Sequence, residues 1–214
     1  AYLNPNADPD IVAEQLNEKQ RRQQMLEIFE DSETLFKSIQ NGVERTISIV
    51  KSLRNFSRLD EGEIKKVDLH EGLDSTLEIL QGQIRKKAEV VKKYGQLPLV
   101  ECAAGKINQV FLNIVNNALQ AIEQRGTITL ETRYLPDRKE VEISIADTGK
   151  GMNEEVKRRL FEPFFTTKPV GEGTGLGMSI SYSILEEHRG RIEVDSEEGK
   201  GSRFRVYLPV KVEN

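Results

Sequence analysis

Apolar residues recur along the N-terminal quarter of the chain in alternating steps of four and three. Residues 10–58 contain no proline, and serine or threonine fills the remaining positions of the same seam. This periodicity predicts a long helix of the coiled-coil type that packs against partner helices in a bundle. The seam consists of Met25, Phe29, Ser32, Phe36, Ile39, Val43, Thr46, Val50, Leu53 and Ser57.

The pattern changes after a charged segment that contains Gly62, and we predict a linker at residues 59–66. Beyond it, periods of 3.6 and 2 alternate, which indicates an α+β domain at residues 67–214. The predicted helices are Leu73–Lys87, Gly105–Glu123 (ended by Gly126) and Leu176–His188. The predicted strands are Val90–Tyr94, Thr127–Tyr134, Glu140–Asp147, Arg191–Ser196 and Arg203–Val210, of which the second and third form an antiparallel hairpin.

Composition narrows the possible functions. The 214 residues are 37% hydrophobic and 31% charged, which suits one well-buried domain plus an extension. A net charge of −4 gives no electrostatic argument for nucleic acid, so no nucleic-acid partner is expected. Cys102 is the only cysteine, which excludes an internal disulfide and makes a reducing cytoplasm the expected setting. The sequence has no run of about 18 apolar residues that would predict a membrane span.

Two asparagines lie four positions apart on the most strongly periodic predicted helix. Asn113 and Asn117 therefore present their amides on one side of that helix. An amide oxygen is a hard ligand that suits Mg²⁺. Taken alone, such a pair is more often two ordinary satisfied polar groups on a helix than a metal site.

An Asp-x-Gly-x-Gly segment follows the second strand of the predicted hairpin. The carboxylate of Asp147 stands at a strand end, where it is able to accept a hydrogen bond from an exocyclic amine such as that of adenine. Gly149 and Gly151 let the backbone approach a base without a Cβ in the way. The motif is weak alone, because it also occurs in ordinary turns and in aspartic proteases, although the second Asp motif of a single-chain protease is missing.

Four glycines alternate in GEGTGLG directly before the last predicted helix. Gly171, Gly173, Gly175 and Gly177 suit a mobile cover whose N–H groups meet phosphates near the helix N-terminus, or simply a flexible hinge. The segment matches neither the Walker A pattern nor a dinucleotide fingerprint. Lys168, just before it, is a candidate to reach a γ-phosphate, although a loop lysine is as often merely solvated.

Five segments stand in a fixed order: NIVNNA at 113–118, DTGKGM at 147–152, FEPFFTTK at 161–168, GEGTGLGM at 171–178 and GKGSRF at 199–204. This order resembles the catalytic domain of sensor histidine kinases, a branch of the Bergerat-fold ATPases. The segment 45–58 is similar to the second helix of that family's dimerisation hairpin. The resemblance implies a Bergerat α/β sandwich, with helices on one face of a mixed sheet, behind a partial dimerisation region at 1–58.

The resemblance also implies roles for the matched residues. Asn117 is expected to ligate Mg²⁺, Asn113 to act beside it at the phosphates as a catalytic residue, and Asp147 to bind adenine. Gly149 and Gly151 are expected to shape the base pocket. The remaining implied nucleotide contacts are Lys168, also a catalytic candidate, Ser202, where relatives more often have threonine, and the lid residues Gly173, Thr174, Gly175, Leu176 and Gly177. Phe161, Phe164 and Phe165 are expected to anchor the lid or to lie in the core.

Three positions depart from the family pattern. Gln120 stands where many relatives carry a lysine that points at the phosphates. Arg189 replaces the first glycine of a His-Gly-Gly segment, and His188 is expected to be structural. His70 falls where relatives often have asparagine, and we expect it to be a surface residue at a helix start.

The implied function is that of an ATP-dependent protein histidine kinase. It binds Mg-ATP and ADP and transfers the γ-phosphate to a histidine, from which the phosphate passes to an aspartate of a response-regulator receiver domain. Because residues 1–69 contain no histidine, the acceptor is expected upstream of Ala1, and this chain alone is not expected to phosphorylate itself. The N-terminal helix is expected to make the full protein a homodimer.

Two alternatives remain open. Another Bergerat-type ATPase, a chaperone or a mismatch-repair protein, uses nucleotide to drive a conformational clamp, and FEPFFTTK and the long helix argue against it. A non-catalytic signalling module with a relic pocket binds nucleotide weakly or not at all, and the intact asparagines and glycines argue against that.

Overall fold

The computed structural model describes residues 22–26, 32, 36, 39–40, 63–168 and 173–211. The chain divides into two compact units, Ala1–Ser48 and Ile49–Asn214. The described residues of the first unit are helical, and the apolar side chains of Met25, Phe36 and Ile39 are exposed. Ser32, another seam residue, is also described and is half-buried. The remaining residues of the predicted seam, and residues 59–62 of the predicted linker, lie outside the described residues.

The described part of the second unit contains strands and helices in alternation. The strands are β1 (Lys65–Val67), β2 (Ala88–Tyr94), β3 (Val100–Cys102), β4 (Gly126–Leu135), β5 (Glu140–Asp147), β6 (Arg191–Glu197) and β7 (Gly201–Pro209). The helices are α1 (Leu69–Ile79), α2 (Gln81–Lys87), α3 (Ala104–Ala121), α4 (Glu154–Arg159) and α5 (Gly177–Glu187). The sequence did not predict β1, β3 or α4, and β1 includes two residues assigned to the linker.

Five of these strands form one mixed sheet in the order β2-β4-β5-β7-β6. β2 runs parallel to β4, and the other neighbours are antiparallel. The predicted hairpin is confirmed, since Ile128 pairs with Asp147 and Leu135 with Glu140. β1 and β3 form a separate antiparallel pair. The register also sets Asp147 beside Ser202 across β5 and β7, which brings two predicted site residues together.

The predicted helix Leu73–Lys87 is wrong as a single element. α1 begins earlier, where the Asp68 side chain caps it by accepting a hydrogen bond from the His70 N–H, and it ends at Ile79. At Leu80 the backbone leaves the helical conformation (φ −90°, ψ 3°) before α2 begins. The break buries the side chain of Leu80 and leaves that of Ile79 exposed, so burial of an apolar residue overrides the continuous helical pattern.

Helix α3 is the centre of the core. Its inward stripe is almost fully buried, as the periodicity predicted: Ile107, Val110, Phe111, Ile114, Val115, Ala118 and Leu119. The prediction that Gly126 ends it is wrong, because α3 ends at Ala121 and Gly126 begins β4. Lys87 Nζ donates to the carbonyl oxygens of Leu119 (3.3 Å) and Ile122 (3.1 Å), which satisfies acceptors that every helix C-terminus leaves open.

The helices lie on one face of the mixed sheet, which agrees with the predicted α+β class. The opposite face carries charged side chains that pair across strands, for example Arg203 with Glu131 at 3.2 Å and Arg133 with Glu142 at 3.1 Å. Among the described helices, none has the length and apolarity needed to cross a bilayer.

Candidate functional site

The amide of Asn113 is tied to the first turn of α5. Its Nδ2 donates to the carbonyl oxygen of Gly177 at 2.9 Å and to Ser181 Oγ at 3.0 Å. Ser181 is fully buried, and its hydroxyl donates to the same Gly177 carbonyl at 2.8 Å. With both Nδ2 hydrogens used, the orientation of the amide is fixed, and the Asn113 oxygen is left to accept from a ligand or to bind a cation.

Asn117 lies one turn further along α3. Its side chain is half-buried, and it makes no side-chain hydrogen bond to any residue that the structure describes. Asn113 and Asn117 share one side of the helix, as predicted, because Ile114 and Ala118 occupy the buried side. An unpaired amide oxygen beside a fixed one is a donor set that fits Mg²⁺.

Asp147 ends β5 with its carboxylate almost completely buried, at 6% exposure. Its Oδ1 accepts the N–H of Gly149 at 2.8 Å. Burial raises the pKa of Asp147 above its usual value, although hydrogen bonds from the N–H groups of Gly149 and Ser202 act in the opposite direction. A desolvated carboxylate held by backbone N–H groups is a strong acceptor for an amine-bearing base.

The glycines after Asp147 pack against the chain itself. A Cβ on Gly149 would lie 2.7 Å from atoms of Ala121, and the Lys150 N–H donates to the Ala121 carbonyl at 3.0 Å. Gly151 has φ +67°, and a Cβ there would lie 2.0 Å from the Glu197 carbonyl oxygen. The loop is therefore clamped between the end of α3 and the end of β6, a packing reason for both glycines that sequence reasoning missed.

Ser202 is buried on β7 and joins a hydroxyl network below this loop. Its Oγ lies 2.9 Å from Ser196 Oγ, which donates to the carbonyl oxygen of Gly201 at 2.9 Å and accepts the Met152 N–H at 2.9 Å. Ser196 was not predicted as a site residue, because nothing in its local sequence distinguishes it from other strand serines. The network connects Ser202 to the segment that follows Asp147.

The three phenylalanines of the aromatic segment, residues 161–168, lie in different environments. Phe161 is half-buried and contacts the ring of Tyr182, with the centroids 5.5 Å apart. The Arg159 guanidinium lies 4.3 Å from the centre of the Phe165 ring. Phe164 is 61% exposed, so its assignment to the core is wrong. Its backbone has φ +66° and lies against Gly175, where a Cβ would be 2.3 Å from the Phe164 carbonyl carbon.

Lys168 and the glycine-rich loop lie beside α3. The Lys168 ammonium donates a hydrogen bond to the side-chain oxygen of Gln120. Gly173 packs on the Lys168 stem, and the Thr174 hydroxyl accepts the Leu176 N–H at 3.4 Å. Leu176 is buried and directly precedes α5, so the loop leads into the helix whose first turn accepts the hydrogen bonds of Asn113. Gly171 lies outside the described residues.

Both histidines are held by their neighbours. The Ala103 N–H donates to His188 Nε2 at 3.1 Å, so Nδ1 carries the proton and donates to the Ile184 carbonyl at 2.7 Å. His188 is 4% exposed, which fits the structural role expected for it. His70 does lie at a helix start, but its ring stacks on Tyr94 at 4.5 Å and its Nε2 lies 2.9 Å from Thr132 Oγ1, so it is more than a surface residue.

Comparisons with known proteins show which family the chain belongs to. The family model of histidine kinase-, DNA gyrase B-, and HSP90-like ATPases matches residues 103–212. The sensor kinase CckA of Brucella abortus (strain 2308) is 36% identical over 190 residues, which are 82% of this chain and 20% of CckA. The chain therefore belongs to this ATPase family, in its sensor histidine kinase branch, and the predicted resemblance is confirmed. The chain spans about a fifth of the length of CckA.

Solved structures of histidine kinases are also similar to this chain. The nucleotide-free catalytic domain of histidine kinase ThkA is 31% identical with a TM-score of 0.63, over 70% of this chain and 97% of that domain. Full-length ShkA in complex with AMPPNP is 27% identical with a TM-score of 0.69, over 79% of this chain and 37% of ShkA. ThkA in complex with the response regulator protein TrrA is 28% identical with a TM-score of 0.66, over 80% of this chain and 49% of that chain.

Proposed function

We propose that this chain is the catalytic part of a protein histidine kinase, which binds Mg-ATP and transfers the γ-phosphate to a histidine. The observation that carries the proposal is the convergence of Asn113 and Asn117, the buried Asp147 carboxylate and the glycine-rich loop around the ends of α3 and α5. These groups supply a base acceptor beside the C-terminal end of α3, where Gly149 packs on Ala121, and phosphate ligands one to two turns earlier on the same helix. Membership of the ATPase family and the similarity to ShkA with AMPPNP support an adenine nucleotide as the ligand.

Each group has a defined task in this proposal. The Asp147 carboxylate accepts a hydrogen bond from the exocyclic amine of adenine, and Gly149 and Gly151 hold the loop that carries it. Asn117 and the Asn113 oxygen hold Mg²⁺, which when bound neutralises phosphate charge. Phosphoryl transfer depends mainly on positioning and charge, and the described residues are suited to both. The remaining proposed nucleotide contacts are Lys168, Gly173, Thr174, Gly175, Leu176, Gly177 and Ser202.

The phosphate acceptor is a histidine outside these 214 residues. The chain has two histidines, and both are engaged. His188 uses both ring nitrogens in buried hydrogen bonds, and His70 is stacked on Tyr94 at the β2 edge. Stable phosphohistidine on this chain after incubation with Mg-ATP alone, detected by mass spectrometry, contradicts this part of the proposal.

We propose partners for the whole protein from the relatives of this chain and from its exposed apolar residues. ThkA is known in complex with a response regulator protein, and we propose a receiver domain of that kind as the destination of the phosphate. Exposed Met25, Phe36 and Ile39 on the N-terminal helix support a homodimer through that helix. The cytoplasm remains the proposed location, supported by the single unpaired cysteine, Cys102.

The magnesium requirement tests the proposed function directly. A fluorescent ATP analogue is titrated into the chain with and without Mg²⁺, and the experiment is repeated with Asn117→Ala and with Asn116→Ala as a neighbouring control. We expect Mg²⁺ to tighten binding about tenfold or more in the parent chain and in Asn116→Ala, since metal coordination is worth several kcal/mol in such sites. Asn117→Ala is expected to lose most of that gain.

Two results decide against the proposal, and a third decides against the metal role of Asn117 alone. Absence of saturable binding to the folded parent chain identifies a signalling module without a working pocket. Steady ATP hydrolysis with no histidine acceptor present favours an ATPase that drives a conformational clamp. Equal loss of the magnesium effect in both asparagine variants removes the metal role from Asn117.

A further inference from the structure

Lys168 reaches helix α3 at one defined residue. Its ammonium group donates a hydrogen bond to the side-chain oxygen of Gln120, which lies 48 positions earlier in the chain. Gln120 is exposed on the last full turn of α3. The contact joins a residue of the aromatic segment to the helix that carries both asparagines.

The Lys168 side chain is also supported near its backbone. Its own N–H donates to Thr166 Oγ1 at 3.2 Å. A Cβ on Gly173 would lie 3.0 Å from Lys168 Cδ and 3.5 Å from its Cβ, so the aliphatic stem passes directly against that glycine. The stem and the ammonium group are therefore placed by different contacts, one to the loop and one to α3.

Gln120 extends the row of amides on α3. Asn113, Asn117 and Gln120 stand at positions i, i+4 and i+7, which lie on the same side of an α-helix. With a rise of about 1.5 Å per residue, Gln120 is about 4.5 Å further along the axis than Asn117. The contact with Lys168 therefore brings a cation to the same side of α3 as Asn117, within about one turn of it.

We propose that Gln120 is a positioning residue for Lys168, and that the pair gives the site a preference for a nucleoside triphosphate over a diphosphate. The inference rests on the proposed function, in which Asn113 and Asn117 bind the metal and the phosphates. Lys168 then supplies a positive charge to the γ-phosphate, which a nucleoside diphosphate lacks. Gln120 holds the ammonium on that side of α3 before the nucleotide binds.

The neutrality of Gln120 is the feature that makes this arrangement work. An amide oxygen holds an ammonium group more weakly than a phosphate does, because the phosphate bond is charge-assisted at both partners. The hydrogen bond to Gln120 is therefore weaker than the one that a phosphate would offer to Lys168. A glutamate at position 120 would retain the ammonium and repel the nucleotide, whereas a lysine would repel the ammonium.

The test compares the affinities of Mg-AMPPNP and Mg-ADP by titration calorimetry. Gln120→Met keeps the length of the side chain and removes its acceptor oxygen, while Lys168→Ala removes the cation. Gln83→Ala and Lys86→Ala, both exposed on α2, serve as matched controls. Thermal melts of each variant establish that it is folded.

We expect Lys168→Ala to lower the triphosphate preference about tenfold, the usual scale for one charge-assisted hydrogen bond. Gln120→Met is expected to lower it about threefold in the parent chain and not at all in the Lys168→Ala background, because Gln120 acts only through Lys168. The affinity of each test variant for ADP is expected to stay within about twofold of the parent chain. The two control variants are expected to bind both nucleotides within about twofold of the parent chain.

The outcomes separate the inference from the function on which it rests. If Gln120→Met has no effect in the parent chain, or an equal effect with and without Lys168, Gln120 is not a positioning residue. A parent chain that binds both nucleotides equally also overturns the inference but leaves the nucleotide site intact. If the folded parent chain binds neither nucleotide, the proposed function itself fails.

Discussion

Asn113 Nδ2 lies 2.9 Å from the carbonyl oxygen of Gly177, so the first turn of α5 determines which atom of the Asn113 amide is available to a ligand. Ser181 completes the arrangement, because its buried hydroxyl accepts from Asn113 and donates to the same carbonyl. The glycine-rich loop enters α5 at this turn. The position of the loop and the geometry of the proposed metal site are thus coupled through one side chain.

Replacing Ser181 with alanine tests this coupling. Ser181→Ala removes an acceptor of Asn113 in a buried position, at a cost of about 1 kcal/mol of stability. We expect Mg-nucleotide affinity to fall about threefold to tenfold as the amide loses its fixed orientation. Ser183→Ala is the control, since within the described part of the chain the Ser183 hydroxyl bonds only to the carbonyl of Ser179 in α5. Equal affinities for both variants contradict the coupling.

Asp147→Asn is expected to make the nucleotide-free chain more stable at pH 7. Burial raises the pKa of Asp147, so the fold favours the protonated carboxyl. This contribution is fully present below the unfolded pKa of about 3.9 and is lost as the pH rises through the raised folded pKa. The asparagine variant stays neutral, so its Tm advantage should appear only as the pH rises.

Thermal melts from pH 3.5 to pH 8 measure that difference. Asp137→Asn, in the exposed connection between β4 and β5, controls for the loss of one negative charge. A stabilisation that is the same at every pH, or one that Asp137→Asn shares, shows that the burial of Asp147 is not its cause.

His188 holds the start of α3 against the end of α5, and its loss is expected to destabilise the domain without changing the site. His188→Ala leaves the buried Ala103 N–H without its acceptor and opens a cavity. We expect a cost of about 2–4 kcal/mol in denaturant unfolding. Nucleotide affinity of the folded variant is expected to stay within about twofold of the parent chain. A large loss of affinity with little loss of stability would falsify the structural role.

Arg189→Gly is expected to stabilise the chain slightly. Arg189 has φ +53°, a left-handed conformation that costs a non-glycine residue about 1–2 kcal/mol. Glycine relieves this strain but gains freedom in the unfolded chain, so we expect a net increase of about 0.5 kcal/mol. Arg189→Ala, which keeps the Cβ, is the control and should give no gain. A lower free energy of unfolding for the glycine variant contradicts the strain argument.

The sequence predicted what local pattern determines. Helix α3 and the β4–β5 hairpin follow from periods of 3.6 and 2, and both are confirmed. Helix α4 was missed although a signal existed, since Asn153 caps it and Glu154 and Glu155 follow in its first turn. The split at Leu80 was not predictable, because it depends on burial of Leu80 in the assembled core.

Within the candidate site, spacing and motif order were sufficient to propose the asparagines, Asp147 and the glycines as site residues. They were not sufficient for Ser181 and Ser196, whose partners are 68 and 44 positions away in sequence. Contacts of that range depend on how helices and strands are assembled. The contact between Lys168 and Gln120 belongs to the same class, since neither residue's own segment predicts the other.

Titration calorimetry of Mg-ADP binding to the parent chain, to Asp147→Asn and to Asp137→Asn is the sharpest test of the nucleotide site and of its adenine contact. We expect saturable binding to the parent chain and to Asp137→Asn. We expect Asp147→Asn to lose about tenfold or more in affinity, because the asparagine does not provide the ionised acceptor for the adenine amine. Equal binding by all three proteins contradicts the assignment of Asp147 to adenine, and no binding by any folded variant contradicts the nucleotide site itself.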